Sequence, residues 1–137
     1  MMTVEGVIKK GLGVAIRTTQ AQATFFFELG LPLADQLQKG TINISIAPHA
    51  FVVLSRDYFY EGIAWQEGGK EDFGFITIKE ISYKGRRYQN PGYIYIPYNS
   101  PHLGNTHQLE VVAIPIEGVE MDQSIAITLE DGKLSIS

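Results

Sequence analysis

The stretch "FGFITIKEISYKGRRYQNPGYIYIP", Phe73 to Pro97, decides the fold class. Phe73–Ile78 and Glu80–Tyr83 read as strands rich in β-branched and aromatic residues. Lys84-Gly85 reads as a turn, and Gly92–Ile96 as a further strand. Downstream, "QLEVVAI" (108–114) is a strand. "SIAITLEDGKLSI" (124–136) alternates Ile125, Ile127 and Leu129, then turns at Asp131-Gly132 into a last short strand. Upstream, "TVEGVIKK" (3–10) sets Val4, Gly6 and Ile8 against Glu5 and Val7. "HAFVVL" (49–54) is a strand or the lead-in to a loop. "YFYEGIAWQEGGKED" (58–72) has no firm assignment beyond a turn at Gly68-Gly69. Two helices are expected near the front. One covers Thr18–Leu29, capped by Thr18 or Thr19 and stopped by Gly30. The other is a short one in "PLADQLQKG" (32–40), with Pro32 near its start and Gly40 at its stop. Short strands at roughly 8–12-residue spacing, with neither internal repeat nor linker, predict one domain over 1–137. It is mainly β, a small closed or nearly closed β-barrel with one or two short helices in the N-terminal third.

"KGTINISI", Lys39 to Ile46, raises the question of function. Ile42, Ile44 and Ile46 alternate with Thr41, Asn43 and Ser45, the period of a strand with one apolar face. The three small oxygen-bearing side chains are either a solvated face or the floor of a site. Residues i and i+2 point the same way, with Cα atoms roughly 6.5–7 Å apart, so Thr41 and Asn43 can converge on one hard cation such as Mg²⁺.

Composition narrows the field. The 137 residues carry a net charge of −4, against the basic surplus that nonspecific nucleic-acid binding draws on. Cysteine is absent, which excludes disulfides and thiolate chemistry and fits a reducing, cytoplasmic setting. The first residues, "MMTVEGVIKKGLG", hold no apolar secretory core. No stretch approaches the roughly 18–20 apolar residues of a membrane span, so no membrane partner is expected.

Three further features carry possible chemistry. In "KKGLGVAIR" (9–17) a Gly-x-Gly follows a strand, either as a tight turn or as a backbone cradle for phosphate, with Lys9, Lys10 and Arg17 close in sequence. It is neither a Walker A loop nor a full dinucleotide fingerprint. The loop after Tyr98 holds His102 and His107, and Glu110 follows. Their spacing matches no zinc motif. Glu110 lies inside an apolar strand, where a carboxylate needs water or a partner, and it can accept a proton from a substrate hydroxyl.

Taken together, these segments resemble the archaeal CTP-dependent riboflavin kinases, small cradle-loop barrels. The resemblance covers "VEGVIKKGLG", "FFELGLPLADQLQKGTINISI", the two central strands of 73–97, "SPHLGNTHQLEVVA" and "VEMDQSIAITL". Gly40-Thr41-Ile42-Asn43, matching the family's Gly-Thr-x-Asn, is its best single piece. The resemblance implies transfer of the γ-phosphate of CTP to the 5′-hydroxyl of riboflavin, giving FMN. It implies that Gly11, Leu12, Gly13, Val14 and Ala15 form the nucleotide-binding loop and that Thr41 and Asn43 bind Mg²⁺. It also implies that Ser100, His102 and Glu110 lie on the flavin side, with Glu110 the catalytic carboxylate. The chain departs from the family at three places, one of them a loop between His102 and Glu110 about two residues longer than the family's. The loop from Gly11 to Ala15 reads Gly-Leu-Gly-Val-Ala where the family usually has Gly-Leu-Gly-Glu-Gly. "AIPIEGVEMDQ" (113–123) is shorter and acidic where the family is basic, which would disfavour a triphosphate lying close to it. Two rival expectations follow: a non-catalytic module binding a flavin or nucleotide, and an interaction domain using the tyrosines of "GYIYIPY" (92–98) as a contact face.

Overall fold

The computed structural model describes residues 1–9, 26–38, 40–66, 69–98 and 104–137. Nine strands follow in order: β1 (Met2–Lys9), β2 (Ile42–Ser45), β3 (Phe51–Val53), β4 (Tyr58–Gln66), β5 (Gly69–Tyr83), β6 (Arg86–Pro97), β7 (Gln108–Ala113), β8 (Ser124–Leu129) and β9 (Leu134–Ile136). The large sheet runs β4-β5-β6-β7-β2-β1-β8, and β8 pairs back onto β5. Six strands therefore close an antiparallel barrel with β4 flanking it, as the spacing of short strands predicted. β3 and β9 form a separate two-stranded ribbon, so the turn at Gly132 sends β9 to β3 and not back along β8.

The long fifth strand makes closure possible. Phe73–Ile78 and Glu80–Tyr83 are one strand, not two. Its register against β6 slips between Ile78 and Glu80, where Asn90 and Pro91 stand against Lys79 alone. Asn90 takes a left-handed φ of 47° and Pro91 brings no amide proton, both suited to a bulge. The extra twist lets β5 pair with β4 at one end and with β8 at the other. Lys84 and Gly85, with φ of 50° and 76°, form the two-residue hairpin loop to β6. Beyond the bulge, Gly92 passes so close to β7 that a Cβ there would run into the Val112 carbonyl oxygen.

The barrel interior is aliphatic. Ile8, Ile42, Ile44, Ile76, Ile78, Ile81, Ile94, Val111, Ile127 and Leu129 belong to one buried cluster. A second, aromatic cluster covers the outside: Phe73, Phe75, Tyr93, Tyr95 and Val112 pack under Phe26, Leu31 and Ala34. Phe26 meets the edges of Phe73 and Phe75 at 5.1 and 5.0 Å between ring centroids. Tyr93 donates its hydroxyl hydrogen bond to the Pro32 carbonyl. Burial, with Tyr58 and Tyr60 nearby, pushes the Tyr93 phenol well above its usual range, so it stays a donor.

The helix expected over 18–29 is helical at 26–28, and its earlier part lies outside the described residues. The helix expected after Pro32 is a single 3₁₀ turn, Ala34–Gln36. Leu33 enters it with a left-handed φ of 67°, and Ala34 must stay tucked into the aromatic cluster, which leaves no room for a longer helix. Tyr93 and Tyr95 are 3% and 7% exposed beneath the chain's own segment, so they do not form the contact face that one reading of the sequence expected.

Candidate functional site

Gly40 turns the chain into β2 with φ of 83°, a conformation open to glycine at no steric cost. The alternation that follows sends Ile42, Ile44 and Ile46 into the barrel and Thr41, Asn43 and Ser45 outward. At Asn43 the outward face is not solvated. Asn43 is 5% exposed, the one polar side chain in the buried class among the described residues. Its Oδ1 and the Oγ1 of Thr41 are both withdrawn from solvent without a hydrogen-bond partner among those residues. A buried oxygen with no donor loses its hydration for nothing, a penalty of about 1–3 kcal/mol each. Two such oxygens at i and i+2 fit a hard cation, which takes oxygen ligands and keeps waters of its own.

Strand register supplies the neighbours. Asn43 stands opposite Glu110 on β7 and opposite Lys9 on β1. Directly opposed residues share a face with Cβ atoms roughly 4.5–5.5 Å apart, so Lys9, Asn43 and Glu110 make one outward row across three strands. Glu110 also lines a cleft of about 270 Å³ between β3, the end of β6 and the start of β7. Phe51, Val53, Ile96, Tyr98 and Leu109 make its walls largely apolar. Glu110 is thus the residue where the oxygen row and the apolar cleft meet.

The acidic segment between β7 and β8 behaves differently from its composition. Glu117 pairs with Arg86 at 3.1 Å, Glu120 with Lys84 at 3.0 Å, and Asp122 with Lys9 at 2.7 Å. Hydrogen bonding to Glu117 raises the Arg86 pKa, and hydrogen bonding to Glu120 raises that of Lys84. Tyr83 fastens the segment by donating to the Gly118 carbonyl at 2.8 Å and accepting from the Glu120 amide at 3.0 Å. Each of these carboxylates has its own cation, so the segment does not present the bare negative charge read from the sequence.

Of the expected site residues, Asn43 stands opposite Glu110, and Thr41 lies two residues before Asn43 in the chain. Gly11, Leu12, Gly13, Val14, Ala15, Ser100 and His102 lie outside the described residues. His107 Nδ1 lies 2.8 Å from the His49 carbonyl, which makes that nitrogen the protonated one. Among the described residues no three His, Cys, Asp or Glu cluster as a metal site. No described helix is long and apolar enough to cross a membrane. The sequence reading missed the cleft walls, which come from three strands far apart in the chain, and the placing of Lys9 beside Asn43, which only register reveals. Compared with known proteins, the chain matches no family model and no curated sequence.

Proposed function

We propose that the protein is a CTP-dependent riboflavin kinase-like phosphotransferase that moves the γ-phosphate of CTP to the 5′-hydroxyl of riboflavin. The observation that carries this reading is the pair of buried oxygens on Thr41 and Asn43, without a hydrogen-bond partner among the described residues, with Asn43 opposite Glu110. In the reaction the riboflavin hydroxyl oxygen bonds to the γ-phosphorus, the bond from that phosphorus to the β–γ bridging oxygen breaks, and CDP leaves with FMN formed. Glu110 accepts the hydroxyl proton and orients the oxygen that attacks. The apolar cleft beside it takes the planar ring system and excludes water from one side. Thr41 and Asn43 hold Mg²⁺, whose charge offsets that of the phosphates. Positioning and charge neutralisation are most of what phosphoryl transfer requires, and this row supplies both without a cysteine or a histidine nucleophile.

The test is to incubate the protein with riboflavin, Mg²⁺ and either CTP or ATP and to separate the flavins by chromatography. FMN from CTP and not from ATP is expected. Glu110→Gln lowers turnover by about 10²–10⁴-fold, with affinity for Mg²⁺-CTP nearly unchanged. Quenching of riboflavin fluorescence with no FMN from either nucleotide would make the barrel a binding module. Neither signal would remove the flavin reading altogether.

A further inference from the structure

The row that holds Asn43 and Glu110 also holds a cation. Lys9 is the last residue of β1 and stands opposite Asn43. Its ammonium is carried on a four-carbon stem, long enough to cover the space above a cross-strand neighbour about 5 Å away. In this structure it turns the other way and meets Asp122 Oδ1 at 2.7 Å. Asp122 is set firmly for that role. Its amide donates to the Ile8 carbonyl at 2.8 Å, and the Ile8 amide donates to the Gln123 carbonyl at 2.9 Å. Both contacts fall on the side of β1 that pairs with β8, away from β2. The other two ion pairs of the acidic segment sit on Lys84 and Arg86 at the β5–β6 hairpin, whereas this one draws its cation from the oxygen row itself.

We propose that Lys9 is the phosphate-binding cation of this site and that Asp122 is its resting counter-ion, displaced when a polyphosphate arrives. The proposal rests on reading the Thr41/Asn43 face as phosphate-binding, and it adds to that reading a residue and a regulating partner. The pair is open to solvent, with Lys9 48% and Asp122 73% exposed, so their attraction is weak and screened. A polyphosphate carries several negative charges where Asp122 carries one, and with the cation held at Thr41 and Asn43 it gains a second anchor. The ammonium then exchanges one carboxylate for phosphate oxygens by rotating its stem, with no change in the strands. Asp122 thereby sets the affinity: it competes with every anion that enters.

Inorganic tripolyphosphate with Mg²⁺ is the probe, because it carries the phosphates without base or flavin. Binding to the full chain is followed by isothermal titration calorimetry. Lys9→Met is expected to weaken binding about tenfold, as for loss of one charge-assisted hydrogen bond, and Lys9→Arg to keep most of it. Asp122→Asn is expected to tighten binding about threefold, the scale of one exposed ion pair, and that gain vanishes when Lys9→Met is also present. Both positions are exposed, and melting temperatures equal to the parent's will confirm that the variants are folded. Parent binding that Lys9→Met leaves within about twofold would overturn the role of Lys9 while the phosphotransfer reading stands. The same gain from Asp122→Asn with and without Lys9 would show that Asp122 acts only as bulk charge, which overturns the counter-ion role. A parent chain that binds no tripolyphosphate would overturn the phosphate face and the Lys9 proposal together.

Discussion

On its inner face β2 presents Ile42, Ile44 and Ile46, none more than 4% exposed and all seated in the aliphatic cluster of the barrel. On its outer face, one residue out of phase, Asn43 is almost as deeply buried at 5%, yet its oxygen and that of Thr41 meet no donor among the described residues. Burial on the first face stabilises the fold. Burial on the second costs free energy that packing alone does not return. In the proposed function a ligand completes the bonding of these oxygens. A single strand therefore carries an aliphatic side and an oxygen-bearing side, and the proposed function gives the two opposite responses to substitution.

The inner face gives the largest effect. Ile44→Ala empties a site only 1% exposed and should lower unfolding free energy by about 2–5 kcal/mol in urea titration, with or without Mg²⁺ and CTP. A loss under about 1 kcal/mol would mean the barrel wall there collapses to fill the gap.

Under the proposed function the outer face answers to ligand. Mg²⁺-CTP at a hundred times its dissociation constant should stabilise the parent by about 2.7 kcal/mol. Asn43→Ala should remove that gain in thermal unfolding while its unliganded stability stays close to the parent's. Equal stabilisation of both proteins would place the metal elsewhere.

A third effect belongs to neither face and calibrates both. Asp57 fastens the loop before β4 to the start of β9. It accepts from the Thr77 amide at 2.8 Å and pairs with Lys133 at 2.8 Å, both side chains largely covered. Burial pushes its carboxyl pKa up, but the Lys133 and Thr77 hydrogen bonds outweigh burial and hold it below the usual 3.8. A lowered folded pKa adds stability that is fully present above the unfolded value and is lost as pH falls through the folded one. Asp57→Asn should thus cost about 1 kcal/mol at neutral pH, and the difference from the parent should shrink in acid, below about pH 4. A difference that stays constant down to pH 2 would show that geometry, and not charge, holds the loop.

The smallest effect is the sharpest contrast. Thr41→Val keeps the shape and deletes a hydroxyl that meets no partner among the described residues. Unliganded stability should therefore move by no more than about 0.5 kcal/mol or rise slightly, although a buried oxygen is lost. A drop of about 2 kcal/mol would reveal a hydrogen bond to that hydroxyl and cancel its availability to a cation.

Much of this architecture could be read from the chain, and the misreadings have physical causes. The alternation of Ile125, Ile127 and Leu129 and the positive-φ turn at Lys84-Gly85 are local signals, and both stand in the structure. β5 was read as two strands because Lys79 interrupts the apolar pattern, and the bulge that absorbs the interruption lies on β6, at Asn90 and Pro91. The short helix after Pro32 fails because Ala34 is claimed by aromatic rings some 40–60 residues further along the chain. The resemblance singles out Thr41, Asn43 and Glu110 as a set, while the placing of Asn43 opposite Glu110 depends on the register of β2 against β7, which no single strand specifies. The burial of Asn43 and the approach of Lys9 are likewise products of pairing, which alternation within one strand does not specify.

The central claim is that the outer oxygens of β2 hold a divalent cation beside the phosphates. The most direct measurement replaces Mg²⁺ with paramagnetic Mn²⁺ in the presence of CTP and follows protein amide signals by NMR. The account predicts that the Asn43 side-chain amide and the β2 and β7 backbone amides around Asn43 and Glu110 broaden first, at substoichiometric Mn²⁺, and that Asn43→Ala abolishes this. Broadening centred elsewhere while the β2 signals persist at saturating CTP would contradict it.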